Sequence, residues 1–214
     1  MQIIREALTI PVGRHIHLEG ELILPDEATG LVLFSHGSGS SRLSPRNQKV
    51  ARLLQRAGLA TLLFDLLTEE EDQRYENRFD IALLAGRLVS VTRWAGNLNE
   101  LQALPIGYFG ASTGAASALM AAARLGEYVQ AVVCRGGRPD LALPDLPAVT
   151  APSLLIVGAL DHEVVQLNET ALARLSSPSR LEVVPGAGHL FEEPGKLEQV
   201  AQLAADWYRR YLQA

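Results

Sequence analysis

From about residue 30 onward, short and nearly uninterrupted apolar runs alternate with longer segments in which apolar residues recur every three or four positions. The short runs are rich in Val, Leu, Ile and Phe and too brief for buried helices. They predict strands at Leu31 to Ser35, Ala60 to Asp65, Ile106 to Gly110, Ala131 to Cys134, Ser153 to Gly158 and Leu181 to Val184, mostly of the kind buried on both faces. The longer segments predict helices near Pro45 to Ala57, Phe79 to Trp94, Thr113 to Arg124, Val164 to Leu175 and Lys196 to Leu212. Regular strand and helix alternation is the signature of βα units wound around a parallel sheet.

Two earlier segments behave differently. Ile3 to Ile10 and His15 to Leu24 flank the turn Pro11-Val12-Gly13, and His17, Glu19 and Glu21 alternate with Ile16, Leu18 and Leu22. That period of two predicts a partly exposed antiparallel pair at the sheet edge. The sum is a single α/β domain over residues 1–214, with a mostly parallel eight-stranded sheet and helices on both faces. Arg138 to Ala151 occupies a place between two late strands where a cap domain could be inserted, and it is too short to hold one. The carboxyl edge of the sheet is therefore expected to be open.

Composition narrows the partners. A formal net charge of −5 leaves no basic footprint, which argues against nucleic acid and anionic membrane. Cys134 is the single cysteine, so neither an intramolecular disulfide nor a zinc site of paired cysteines is available. With no basic start followed by an apolar leader at Met1 to Val12, a cytoplasmic protein is expected. Glu69 to Asp72 has no accompanying histidine and reads as a solvated acidic face, so no metal is expected.

The chemistry concentrates at strand ends. Gly110-Ala111-Ser112-Thr113-Gly114 joins a predicted strand to a predicted helix of small residues, the context in which a sharp turn projects a serine above the sheet. Taken alone, the segment is equally a glycine-rich βα turn without chemistry. A serine nucleophile needs a base and an orienting acid, in the chain order Ser, acid, His for this architecture. Asp161 follows the run Leu154 to Gly158 and is favoured over Glu163 as the acid, although Asp161 also suits a helix N-cap. His189 lies in the glycine-rich stretch after the last strand and fits the base, whereas His15, His17, His36 and His162 fit surface or packing roles. The loop His36-Gly37-Ser38-Gly39-Ser40-Ser41 offers the main-chain N–H of Ser38 to an oxyanion, with the N–H of Thr113 as second donor. It lacks both the P-loop ending and the third glycine of a dinucleotide fingerprint. Arg135 and Arg138 follow a strand on the same edge, where either suits an acidic substrate group or a local ion pair with Asp140 or Asp145. Cys134 reads as packing.

Together the His-Gly-Ser-Gly strand end, the Gly-Ala-Ser-Thr-Gly turn, Gly-x-x-Asp and Gly-His resemble the α/β-hydrolase fold family over nearly the whole chain. The capless plan is most similar to its dienelactone hydrolase-like branch, which implies a triad of Ser112, Asp161 and His189 and no cofactor. Dienelactone hydrolases proper carry cysteine at the nucleophile, so Ser112 points instead to a serine esterase acting on small-molecule esters. An acyltransferase or perhydrolase using the same triad, and a non-catalytic binding protein on the same fold, are the rival readings. A monomer or small homo-oligomer is expected, and some relatives of this kind are fused to a phosphoribosyltransferase.

Overall fold

The computed structural model describes residues 3–213. Its centre is one eight-stranded sheet of strands β1 (Ile3–Pro11), β2 (His17–Pro25), β3 (Leu31–Ser35), β4 (Ala60–Phe64), β5 (Ile106–Ala111), β6 (Val129–Arg135), β7 (Ser153–Gly158) and β8 (Ser179–Val184), in the order β1-β2-β4-β3-β5-β6-β7-β8. β1 and β2 pair antiparallel, as do β2 and β4, and every other neighbouring pair is parallel. The helices are α1 (Pro45–Arg56), the short α2 (Glu69–Asp72), α3 (Ile81–Ala95), α4 (Thr113–Leu125), α5 (His162–Leu172) and α6 (Lys196–Tyr211). Two 3₁₀ turns, Pro139–Ala142 and Leu146–Ala148, fill the connection from β6 to β7, and no cap is inserted there.

The apolar runs read as double-faced strands because alternate side chains enter two separate cores. Leu31 and Leu33 of β3, with Val132 and Cys134 of β6, join the cluster under α3, α4 and α5. Val32 and Phe34, with Ala131 and Val133, join the cluster under α1 and α6. β8 departs from this pattern. Only Val184 is buried in it, because β8 is the outermost strand with one neighbour, β7, and its Arg180 and Glu182 pair at the surface. Asp80 caps α3 by accepting from the Leu83 N–H at 2.9 Å, which starts that helix two residues later than the periodicity predicts and leaves Phe79 exposed.

The last long helix is tied to the middle of the sheet. The Tyr208 hydroxyl donates to the carbonyl of Tyr108 at 2.6 Å, and the Tyr208 ring packs so near Gly107 that a Cβ there would stand 2.8 Å from it.

Around the turn after β5 the packing is tighter still. A Cβ on Gly114 would lie 2.1 Å from the Ser35 carbonyl oxygen, and one on Gly110 would lie 2.6 Å from the Ala115 Cα. These contacts are with backbone, which cannot step aside as a flexible side chain can. Gly114→Ala should lower stability by about 3 kcal/mol or more. Gly86→Ala, in the interior of α3 with only Arg124 Nη1 at 4.0 Å, should raise it by about 0.5–1 kcal/mol. Urea unfolding of the two variants checks both signs.

Candidate active site

Ser112 occupies the turn between β5 and α4 with φ 53° and ψ −125°, a left-handed conformation that costs a non-glycine residue energy. The turn is held on several sides. The Ser112 N–H donates to the Arg135 carbonyl at 3.2 Å, and its own carbonyl accepts from the Arg138 N–H at 3.0 Å. Gly37, from the loop after β3, lies against the serine so closely that a Cβ would be 3.0 Å from Ser112 Cβ. No side chain among the described residues hydrogen-bonds to the Ser112 hydroxyl.

Asp161 and His189 arrive from β7 and β8. Asp161 is the N-cap residue of α5 by position, but its side chain makes no capping bond. Its Oδ2 instead lies 2.6 Å from His189 Nδ1. That bond puts the proton of the neutral imidazole on Nδ1 and leaves Nε2 free to accept one. Glu163 is exposed and does not bond the imidazole, so the choice between the two acids falls to Asp161. The imidazole stands over Gly136, where a Cβ would be 3.6 Å from its Cε1 and Nδ1, one residue beyond the strand end that bonds Ser112. Ser112, Asp161 and His189 thus all lie beyond the carboxyl ends of their strands, β5, β7 and β8, with β6 between the first two.

The loop after β3 is built on His36. Its Nε2 accepts from the Leu66 N–H at 3.0 Å, so its Nδ1 carries the proton and donates to the Gly37 carbonyl at 3.0 Å. Ser38 behaves differently from the expectation of a free donor. Its N–H is taken by Thr113 Oγ1 at 2.8 Å, whereas the Thr113 N–H, at the first position of α4, is without an acceptor.

The two arginines part company. Arg138 forms a two-pronged bond with Asp140, at 2.8 Å for each contact, so the local ion pair accounts for it. Arg135 is 6% exposed, its Nη1 is buried without a partner, and no carboxylate pairs with it among the described residues. Burial, with Arg46 nearby, pushes its pKa down to about 10. Cys134 is buried beside it, and burial pushes the thiol up to about 12, as a packing residue requires. The acidic run forms α2, with Glu71 bonded to Arg87 and Asp72 to Arg78. Tyr75 and Phe79 lean on each other at 5.1 Å and stay exposed. Depressions of about 740 and 470 Å³ lie beside α2, and neither is lined by Ser112, Asp161 or His189. No described helix is long and apolar enough to cross a membrane.

A mostly parallel eight-stranded sheet, with a strained serine at the end of β5 and an acid and histidine at the ends of β7 and β8, defines the α/β-hydrolase class. Within it, the chain belongs to the dienelactone hydrolase family, whose model matches residues 18–214. It is similar to a crystal structure of a dienelactone hydrolase from Anabaena variabilis, at 56% identity and TM-score 0.96 over 100% of both chains. It is also 56% identical over 201 residues to proteins named "Putative phosphoribosyl transferase" in two strains of Mycobacterium tuberculosis, covering 94% of this chain but 45% of their length. Est1E from Butyrivibrio proteoclasticus shares the fold, with TM-score 0.81 over 95% of this chain and 98% of that one, at 17% identity.

The buried His36 has a consequence for acid stability. Burial lowers its pKa from 6.5, outweighing the opposite pull of Asp65 and Asp72. As pH falls through about 6.5 the unfolded chain takes up a proton that the folded imidazole refuses, so this contribution is complete above that value and is lost below it. The urea midpoint should drop between pH 7.5 and pH 5, and by less in His36→Gln. An equal drop in both proteins would contradict this origin.

Proposed function

We propose that the protein is a serine esterase that cleaves small carboxylic esters through an acyl-enzyme. What carries the reading is the strained Ser112 turn together with a His189 whose Nδ1 is held by Asp161 at 2.6 Å. Ser112 Oγ attacks the ester carbonyl carbon while His189 Nε2 takes its proton. The Asp161 carboxylate stabilises the imidazolium so formed, and the Thr113 N–H donates to the developing oxyanion. Collapse expels the alcohol, which leaves with the proton from Nε2. Water, deprotonated in turn by His189, then attacks the acyl carbon, releases the acid and restores Ser112. The Ser112–His189 hydrogen bond that this needs forms when substrate closes the gap, as is common for bases in empty sites.

The open edge supports short, soluble acyl groups. The connection between β6 and β7 builds two 3₁₀ turns and no lid, so nothing encloses a long chain. The transferase name borne by the Mycobacterium tuberculosis relatives is not carried over, because this chain spans less than half of their length.

A fluorophosphonate should label Ser112, and Ser112→Ala should lose both labelling and turnover of p-nitrophenyl esters. His189→Ala should lose turnover comparably, and Asp161→Ala should keep more. kcat/KM should stop rising early as the acyl chain lengthens. Labelling that survives Ser112→Ala, or full turnover in His189→Ala, would exclude the mechanism.

Arg135 supports a preference among those esters. An unpaired guanidinium whose pKa is held near 10 costs the fold on the order of 3 kcal/mol at neutral pH. An anionic substituent on the substrate would offset that cost. Arg135→Met should therefore raise Tm by several degrees and lower the ratio of kcat/KM for a carboxylate-bearing ester to that for its neutral analogue. Thermal unfolding and paired substrates such as a hemisuccinate and a butyrate measure the two effects, and an unchanged ratio would remove Arg135 from the substrate site.

A further inference from the structure

The Thr113 hydroxyl is 2.8 Å from the Ser38 nitrogen and accepts its N–H. A threonine hydroxyl has one proton to give and two lone pairs to receive. Among the described residues Thr113 Oγ1 takes part in this bond and no other, so its proton has no acceptor, although the residue is only 5% exposed. A buried donor without an acceptor is costly, and here it stands one residue after the strained serine, on the first turn of α4. The peptide N–H of the same residue is equally without an acceptor. Two donors without a protein acceptor among the described residues thus stand on one residue, next to Ser112.

We propose that the oxyanion hole is supplied twice by Thr113, through its N–H and through its hydroxyl, and that Ser38 acts only by holding and polarising that hydroxyl. This rests on the reading of Ser112 as nucleophile. The Ser38 N–H fixes the rotamer of Thr113, because an accepted hydrogen bond ties Oγ1 to the loop after β3. It also strengthens Oγ–H as a donor, since linked hydrogen bonds polarise one another. That loop is itself immobilised through His36, bonded to Leu66 and Gly37, and by the close approach of Gly37 to Ser112. A donor kept in place before substrate arrives needs no reorganisation as charge develops on the carbonyl oxygen. Thr113 is then a catalytic residue, in contact with the oxyanion, and Ser38 a positioning one.

The experiment compares Thr113→Val, Thr113→Ala and Thr113→Ser with wild type and Ser112→Ala. Two quantities are read: kcat and KM for p-nitrophenyl butyrate, and the affinity of an alkyl trifluoromethyl ketone, which adds to Ser112 as a tetrahedral oxyanion. Val and Ala should each lower kcat about 100-fold and weaken the ketone in parallel, with KM nearly unchanged. Ser, which restores the hydroxyl, should recover most of both. If the hydroxyl merely covers the Ser38 N–H, Ala frees that donor and activity stays at or above wild type. Any loss below tenfold in Ala, or a failure of Ser to recover, overturns the proposal. Should Val fail to fold, Ala and Ser decide the matter alone. Wild-type turnover that Ser112→Ala leaves intact defeats the esterase reading and this one together, whereas Ser112-dependent turnover indifferent to Thr113 defeats this one only.

Discussion

The close passage of α4 beneath the end of β3 is the contact on which the rest of the site depends. Gly114 lies against the Ser35 carbonyl and Gly110 against the start of α4, so strand, turn and helix meet with no room for a methyl group. That contact compresses the turn and places Ser112 in the left-handed region at φ 53°. It also brings Thr113 within hydrogen-bonding distance of Ser38, and sets Gly37 against the serine. A looser fit would let the turn relax toward an ordinary helix start, and with it the exposed hydroxyl and the unpaired donors of α4 would be lost.

Several polar groups around this turn are neutral or paired. His36 is held neutral between two backbone groups, Cys134 is kept a thiol by burial, and Arg138 is bound to Asp140. Against that quiet background the Asp161 carboxylate acts on one imidazole nitrogen, and Arg135 remains a cation without a carboxylate. Arg135 is the buried one of these, and there the low polarisability of the surroundings makes its charge felt more strongly than in water.

Much of this was legible in the chain itself. Leu31–Ser35 and Ser153–Gly158 read to the residue, because both faces of those strands are buried and every side chain carries the signal. Leu181 to Val184 has the same apolar look, yet β8 is an edge strand, and nothing local to four residues records how many neighbours a strand will have. Ser112, Asp161 and His189 were readable as candidates from their order and their places at strand ends. Whether Asp161 would cap α5 or reach the imidazole was not, since both uses ask for the same residue at the same position. Arg135 and Arg138 differ in burial by virtue of which side of a strand end each falls on, a distinction that depends on the sheet. The bond between Ser38 and Thr113 joins positions 75 residues apart, and the side-chain role of Thr113 could come only from seeing them together.

The bond from Tyr208 to Tyr108 spans 100 residues and fastens α6 across the central strand. During synthesis, β5 is made long before that helix exists, and Gly107 within it leaves a slot that the Tyr208 ring fills. Until residue 208 has cleared the ribosome, the face of the sheet bearing Val32, Phe34 and Phe109 has α1 but not α6 as cover. A core whose second cover is made 100 residues after the strand it closes on presents an apolar, adhesive face in any partly made domain, and the docking of α6 is the step that removes it.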